Sequence, residues 1–441
     1  MDFKELYNKK LMTAYEAAML VEDGDSITTD LFLAEPKTLF EALNQRCQED
    51  NIHNVRLGAT LEVYPLLPLT DAKYKKNIQM ENWFCGVLSR KPVNSDIADF
   101  VPSTYWDQPA VARAYKRYNT FMASVSPMDE HGYMSFGVTG SGCEVYTQTC
   151  EKIIVEVNKN MPYNLFGPKV HISQVAAVCE AEYPLMVAPK VPLDDLSMKI
   201  GGYIAEEVPD GACLQLGIGG IPDAVGMQLK NKKDLGIHTE MLTDSMIELI
   251  ECGAVNNSKK KLYPGVSVAT FAFGSKRIYD FCDKNPAMAI LPVDWVNNPY
   301  VIAQNDNVVS INAALEVDLF GQVCAESIGS MRFSGSGGQL DYVRGATMSK
   351  GGLSYIAFPS TAMVKGADGQ KHAVSKIVPT LTPGSLVTTG KNEVDMIVTE
   401  YGIARLRGRS LHERANALIN IAAPEFRDEL RAAAKKLNLF I

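Results

Sequence analysis

At roughly 150 residues per domain, a chain of 441 residues holds two or three domains, and 46% hydrophobic and 21% charged residues with a mean hydropathy of −0.06 are ordinary for a globular protein. That excludes a disordered, collagen-like or coiled-coil chain. Forty-three Lys and Arg stand against 51 Asp and Glu, so the net charge is −8 and the pI about 5.4. This is the reverse of the balance in proteins that bind nucleic acid through its phosphates, and an anionic ligand would need a local cationic patch.

The start, Met1 to Glu5, carries acids and no apolar run, so it does not read as a secretory signal. Apolar stretches such as Ala287 to Val293 are too short to span a bilayer, so neither a membrane nor a nucleic acid is expected as a partner. The nine cysteines are odd in number, scattered and never in CxxC spacing, which predicts free thiols in a reducing, cytoplasmic compartment. Six histidines, none in HExxH spacing, give no sign of a zinc hydrolase, and no metal site is expected.

In chain order, Asp23-Gly24, a strand-like run from Ser26 to Leu33, and Pro36 followed by Leu39 and Leu43 read as turn, strand, loop and helix. The same pattern returns at Asp210-Gly211, Cys213 to Ile218, and Pro222 with Val225 and Leu229, at offsets of 187 and 186. Asp129-Glu130-His131-Gly132 is echoed by Asp318-Leu319-Phe320-Gly321 at an offset of 189. Each landmark is weak alone, but three in order at a nearly constant spacing predict a duplicated unit. Ile153 to Val157 and Ala287 to Leu291 read as short strands, and Ile204 to Glu207 and Ala415 to Ala422 lie in helical segments. The alternation predicts an α/β fold of two similar, open, parallel-sheet domains with the active site in the cleft between them. The linker is placed at the prolines 184, 189 and 192, dividing the chain into domains 1–188 and 189–441.

Chemistry is expected where glycines join a strand to a helix. Gln215-Leu216-Gly217-Ile218-Gly219-Gly220-Ile221-Pro222 is such a junction, and its free N–H groups suit an anion or oxyanion. A tight turn without a ligand is the bland alternative. A dinucleotide site also competes, because Glu240 lies about 20 residues beyond the glycines, where a ribose carboxylate belongs, although the third glycine is missing. Glu240 ends a predicted strand, Leu235 to Thr239, and can serve as base, ribose ligand or covalent nucleophile, or be a solvated loop acid. A second glycine cluster, Phe333 to Ala346, again reads as loop into helix. Arg344, Lys350, Lys365, Lys371 and Lys376 fall within one stretch here and suit a phosphate-bearing ligand, unless they are ordinary surface cations.

Three segments carry a family resemblance: Leu216-Gly217-Ile218-Gly219 with Ile221-Pro222-Asp223-Ala224-Val225; Leu235 to Met241; and Phe333-Ser334-Gly335, Gly337-Gly338-Gln339 and Tyr342 to Ala346. Together they resemble the acetyl-CoA hydrolase/transferase family (family I CoA-transferases), and within it the 4-hydroxybutyrate and butyryl-CoA:acetate CoA-transferases. The likeness extends from Ala34-Glu35-Pro36 through Val125-Ser126-Pro127 to Val398 to Ala404. It decides the dinucleotide question against NAD.

The resemblance implies that CoA moves between an acyl-CoA and a short-chain carboxylate, with Glu240 forming a glutamyl-CoA thioester. It places Gln215, Leu216, Gly217, Ile218 and Gly219 on the loop that holds CoA, Gly338 on a second CoA loop, and Lys365 against the cofactor. CoA would be a substrate and transient covalent adduct, with no tightly bound cofactor, and the protein a homodimer or homotetramer. An unperturbed Glu is ionised at neutrality, so Glu240 is expected to be a ready nucleophile, with oxyanion donors from Gly217 to Gly220. Thioester hydrolysis, or acyl-CoA binding without catalysis, are the alternatives. The preferred carboxylate is not legible.

Overall fold

The computed structural model describes residues 2–189, 192–217, 219–366 and 368–439. Two large sheets form its frame. In the first, the spatial order is Asp99–Phe100, Ile78–Asn82, Val55–Ala59, Ser26–Thr29, Thr120–Val125, Lys152–Asn158, Ala177–Ala181. In the second it is Met288–Ile290, Ser267–Ala272, Gly236–Leu242, Cys213–Leu216, Val308–Asn312, Leu353–Ala357, Met396–Thr399, Gly402–Arg405. Counted from the first strand of each half, both sheets run 4-3-2-1-5-6-7. The second adds an eighth, antiparallel edge strand. All other neighbours in both sheets are parallel. Interior strands such as Thr120–Val125 and Ser267–Ala272 are buried at every position. That is the signature of a parallel sheet with both faces covered.

The repeated sequence landmarks are repeated geometry. Gly24 and Gly211 both turn the chain at positive φ, +86° and +76°. The aspartate before each accepts a backbone N–H, Asp23 from His53 at 2.7 Å and Asp210 from Lys233 at 2.8 Å. Asp129 and Asp318 each accept two backbone N–H groups two and four residues on, closing turns that end at Gly132 and Gly321. One difference from the expectation lies at the end of the first strand. It stops at Thr29, and Phe32–Ala34 form a 3₁₀ turn with Phe32 at φ 51°. The apolar run reads as strand in sequence, but its later residues leave the sheet to face the other half.

The halves meet at the carboxyl ends of their strands. Gly140 N–H donates to Thr270 at 2.7 Å, Arg90 Nε to the Phe333 carbonyl at 2.7 Å, and Ser336 Oγ to the Ser103 carbonyl at 2.8 Å. Trp106 N–H reaches the Asp341 carboxylate at 3.2 Å. In each sheet the strand order reverses between the first and fifth strands, and the crevice beyond such a reversal is where open α/β sheets bind ligands.

Candidate active site

Glu240 sits in the strand Gly236–Leu242, whose preceding four residues are buried. The parallel register Leu214↔Ile237, continued three residues, sets Gly217 level with Glu240. The glutamate therefore stands at the rim of the second sheet's reversal point. Two donors meet its carboxylate: Asn297 Nδ2 at 2.7 Å from Oε2, and the backbone N–H of Gly338. Gly338 caps the helix Gln339–Met348, so the positive end of that helix faces the acid. The fit explains the glycine. A Cβ on Gly338 would stand 1.9 Å from Glu240 Oε2 and 2.3 Å from Asn297 Nδ2. Three residues earlier in the loop, a Cβ on Gly335 would meet Phe84 of the first half at 2.9 Å.

Glu240 opens on a cavity of about 480 Å³ whose walls come from both halves. Phe32, Trp83, Phe84 and Tyr105 of the first half and Phe271 and Phe273 of the second make it largely apolar. A second acid, Glu62, also lines it. Glu62 is buried and takes a hydrogen bond from the Asn82 amide, while its Oε2 has no partner. Burial pushes Glu62 up to about 7 against a hydrogen bond from Ser89. Burial likewise pushes Glu240 up to about 7, against its bonds from Asn297 and Gly338. The expectation that Glu240 is fully ionised at neutrality is thus corrected. The apolar surroundings withhold water from the charged form, and two donors recover only part of that loss.

The first glycine loop serves the fold more than the sequence implies. Gln215 turns its amide across the sheet, where Oε1 accepts from Ile311 N–H and Asn312 Nδ2, both at 3.2 Å. Leu216 is buried in the core of the second half. Gly217 N–H is committed to the Ile311 carbonyl at 2.9 Å, which removes it from the expected oxyanion donors. Gly219, at φ +116°, turns the chain into the helix Gly220–Gln228, whose first N–H groups have no partner within the helix. Ile218 lies outside the described residues.

Lys365 ends one strand of an exposed hairpin, Thr361–Lys365 paired with Lys371–Ser375, and is not in the cavity wall. The cations grouped in sequence do not form one patch. Arg344 pairs with Glu393 at 2.7 Å. Lys376 is drawn inward to the Ala314 carbonyl at 2.8 Å, and burial lowers it to about 8. Sequence reasoning missed Asn297, Phe84 and Tyr105. Their only signal is their place beyond strands or in connections of an α/β chain, which many residues share.

Comparison with known proteins joins this geometry to a family. Models of the acetyl-CoA hydrolase/transferase N-terminal and C-terminal domains match residues 1–189 and 274–434. The chain is 43% identical over 436 residues to the succinyl-CoA:cyclohexane-1-carboxylate CoA transferase of Geobacter metallireducens, covering 99% of this chain and 97% of the relative. The chain belongs to the acetyl-CoA hydrolase/transferase family. Another member, the 4-hydroxybutyrate coenzyme A transferase of Clostridium kluyveri, is 42% identical over 442 residues, 99% of this chain and 100% of that one. The crystal structure of RipA from Yersinia pestis superposes with a TM-score of 0.92 at 39% identity, covering 100% of both chains.

Proposed function

We propose that this protein is a CoA-transferase that passes CoA from an acyl-CoA to a short-chain carboxylate through a glutamyl-CoA thioester on Glu240. The observation that carries the reading is the setting of Glu240: a carboxylate held by a helix N-terminal N–H and an amide, open to an apolar cavity built by both halves. A glutamate so placed is of no use to a protein that only binds acyl-CoA.

The atoms balance in four steps. A Glu240 oxygen attacks the acyl-CoA carbonyl carbon, the C–S bond breaks, and CoA thiolate leaves an acyl-glutamyl anhydride. The thiolate attacks the glutamyl carbonyl carbon, the C–O bond to the acyl group breaks, and the first carboxylate departs. The acceptor carboxylate oxygen then attacks the glutamyl thioester carbon and its C–S bond breaks to give a second anhydride; the thiolate attacks the new acyl carbon, the C–O bond to Glu240 breaks, and the free glutamate is restored. Each tetrahedral intermediate places negative charge on an oxygen, and the Gly338 N–H and Asn297 amide are already aimed at the glutamyl side. CoA would run along the second half, past the Gly217–Gly219 loop and toward Lys365.

Transfer is favoured over hydrolysis because the cavity lining is apolar and water must be kept from two reactive intermediates. Short-chain carboxylates are the proposed acceptors, in line with the 4-hydroxybutyrate, butyrate and acetate in the names of several relatives, and the domains divide at 188/189. Among the described residues no helix is long and apolar enough to cross a membrane. We place the protein in the cytoplasm as a homo-oligomer. Incubation with acyl-CoA in the absence of acceptor tests the reading. CoA should remain attached to the peptide carrying Glu240, and Glu240→Gln should yield neither adduct nor exchange. An adduct on Glu62, or full exchange by the Gln variant, would overturn it.

A further inference from the structure

Duplication gives Glu240 a counterpart in the first half, and the mechanism above does not use it. In the first sheet Ile27 pairs with Leu57; in the second Leu214, 187 residues on from Ile27, pairs with Ile237. Continued three residues, the second register sets Glu240 beside Gly217, and the first sets Thr60 beside Asp30. Thr60, two residues before Glu62, therefore holds in the first half the place that Glu240 holds in the second. The flanking amide is duplicated as well. Trp106-Asp107-Gln108 matches Trp295-Val296-Asn297 at an offset of 189. The strands that follow keep that offset, since Ile27 pairs with Thr120 and Leu214 with Val309.

The duplicated pairs make the same bond. Asn297 Nδ2 donates to Glu240 Oε2 at 2.7 Å, and Gln108 Nε2 donates to Thr60 Oγ1 at 2.8 Å. Thr60 and Gln108 are buried, and both line the cavity onto which Glu240 opens. The two amide-held oxygens differ in what they offer. A carboxylate only accepts, whereas a hydroxyl whose oxygen already accepts from Gln108 turns its own hydrogen elsewhere. Among the described residues that hydrogen has no protein acceptor. Besides the two acids, the side chains of the cavity wall with an N–H or O–H are Thr60, Gln108, Trp83, Ser103 and Tyr105. The last three are engaged, Trp83 with the Tyr118 hydroxyl at 2.7 Å, and Ser103 with the Thr104 carbonyl and Tyr105 with Ser141 Oγ, both at 2.8 Å.

We infer that Thr60 is a substrate-binding residue: its O–H, oriented by Gln108, holds the non-reacting oxygen of the carboxylate in the cavity that Glu240 faces. The inference rests on the proposed role of Glu240 and supplies what that mechanism lacks. Gly338 and Asn297 serve the glutamyl oxygens, while the acceptor carboxylate brings a charge of its own into a largely apolar space. A charged oxygen buried there without a donor is costly. The same oxygen becomes the carbonyl oxygen of the anhydride, and it carries the negative charge when the thiolate attacks the acyl carbon. One donor at this place serves both binding and the acyl-side tetrahedral intermediate. Gln108 is the positioning residue behind it.

The chemistry of the occupant sets the test. CoA-loaded enzyme is isolated after reaction with acyl-CoA and mixed with butyrate, or with hydroxylamine, which attacks the same thioester but has no carboxylate. Thr60→Val, which exchanges the hydroxyl for a methyl, should consume the adduct with butyrate on the order of 10–100-fold more slowly than the wild type, the scale of one hydrogen bond to a charged group. Release by hydroxylamine should be unchanged, and Thr60→Ser should restore the butyrate rate to within about fivefold. Equal loss with both reagents would mean a general disturbance of the site and refute the inference, as would a wild-type butyrate rate in Thr60→Val. Gln108→Leu should show the same selective loss and add less than about twofold when combined with Thr60→Val. Fully additive losses would refute its role as a positioning residue.

A second readout needs no adduct. Butyrate is titrated against Glu240→Gln and against the same variant carrying Thr60→Val, and binding is followed by broadening of the butyrate NMR lines. The double variant should bind at least about fivefold more weakly, and equal affinity would overturn the inference. If the wild type forms no adduct on Glu240, the proposed nucleophile fails, while this titration still decides the role of Thr60.

Discussion

Replacing Gly338 with alanine separates space from backbone freedom at the Glu240 carboxylate, the proposed nucleophile. Gly338 has φ −92° and ψ 9°, which any residue adopts, so the backbone itself does not require glycine there. What alanine lacks is room. Its Cβ would start 1.9 Å from Glu240 Oε2, and ordinary contact begins at 3.4 Å, so the carboxylate must retreat by about 1.5 Å or the helix end must lift by that much. Either movement breaks the bond from the Gly338 N–H and misaims the nucleophile. A misplacement of about 1 Å costs on the order of 100-fold in rate, equal to about 2.7 kcal/mol of barrier. Exchange of labelled acetate into acyl-CoA by Gly338→Ala should therefore fall at least 100-fold, with a thermal midpoint close to that of the wild type. Gly219→Ala makes the contrast: nothing lies within 4 Å of its Cβ, but φ +116° is strained for alanine, so it should lose stability by roughly 1–2 kcal/mol. Turnover by Gly338→Ala within threefold of the wild type would show that the carboxylate is not held where the structure places it.

The remaining predictions are briefer. Below pH 7 the acid limb of kcat/KM should fall tenfold per unit, because protonation of Glu240, raised to about 7, removes the nucleophile; measured in Glu62→Gln, so that one acid titrates, a profile flat to about pH 5.5 would contradict the burial argument. Glu240→Asp keeps the charge but withdraws it by about 1.5 Å, so transfer should largely disappear while slow release of free CoA persists, as chromatography of the products would show. Lys365→Ala should raise KM for acyl-CoA and leave kcat unchanged at saturation, and an unaltered KM would return Lys365 to the status of an exposed hairpin residue.

Much of the frame was legible because duplication leaves marks that need no alignment. Turns requiring an aspartate and a positive-φ glycine keep those residue types, so Asp23-Gly24 and Asp210-Gly211, or Asp129 and Asp318, could be matched by spacing alone. Strand order could not be read, since parallel strands are joined by crossovers whose direction the residues do not encode locally. The position of Glu240 was legible as an acid ending an apolar run, and its raised pKa was not. The groups that surround it, Asn297, Gly338 and Asp341, lie 57, 98 and 101 residues further along the chain and meet it only on folding. Gln215 shows the converse. Its motif suggests a ligand loop, while its side chain accepts from Ile311 and Asn312 of the neighbouring strand, a use that no linear pattern distinguishes.

The seam between the halves has a consequence for the fate of the intermediates. On the proposed mechanism, both the anhydride and the thioester store enough free energy to be wasted on a single water molecule. The insulation against that leak lies less in Glu240 itself than in the cross-half hydrogen bonds from Arg90, Ser336 and Trp106 and in the aromatic walls behind them. A member of this fold with a looser seam would spend acyl-CoA on hydrolysis while keeping every reacting atom in place. On that mechanism, whether such a protein behaves as a transferase or a hydrolase is a property of its joint.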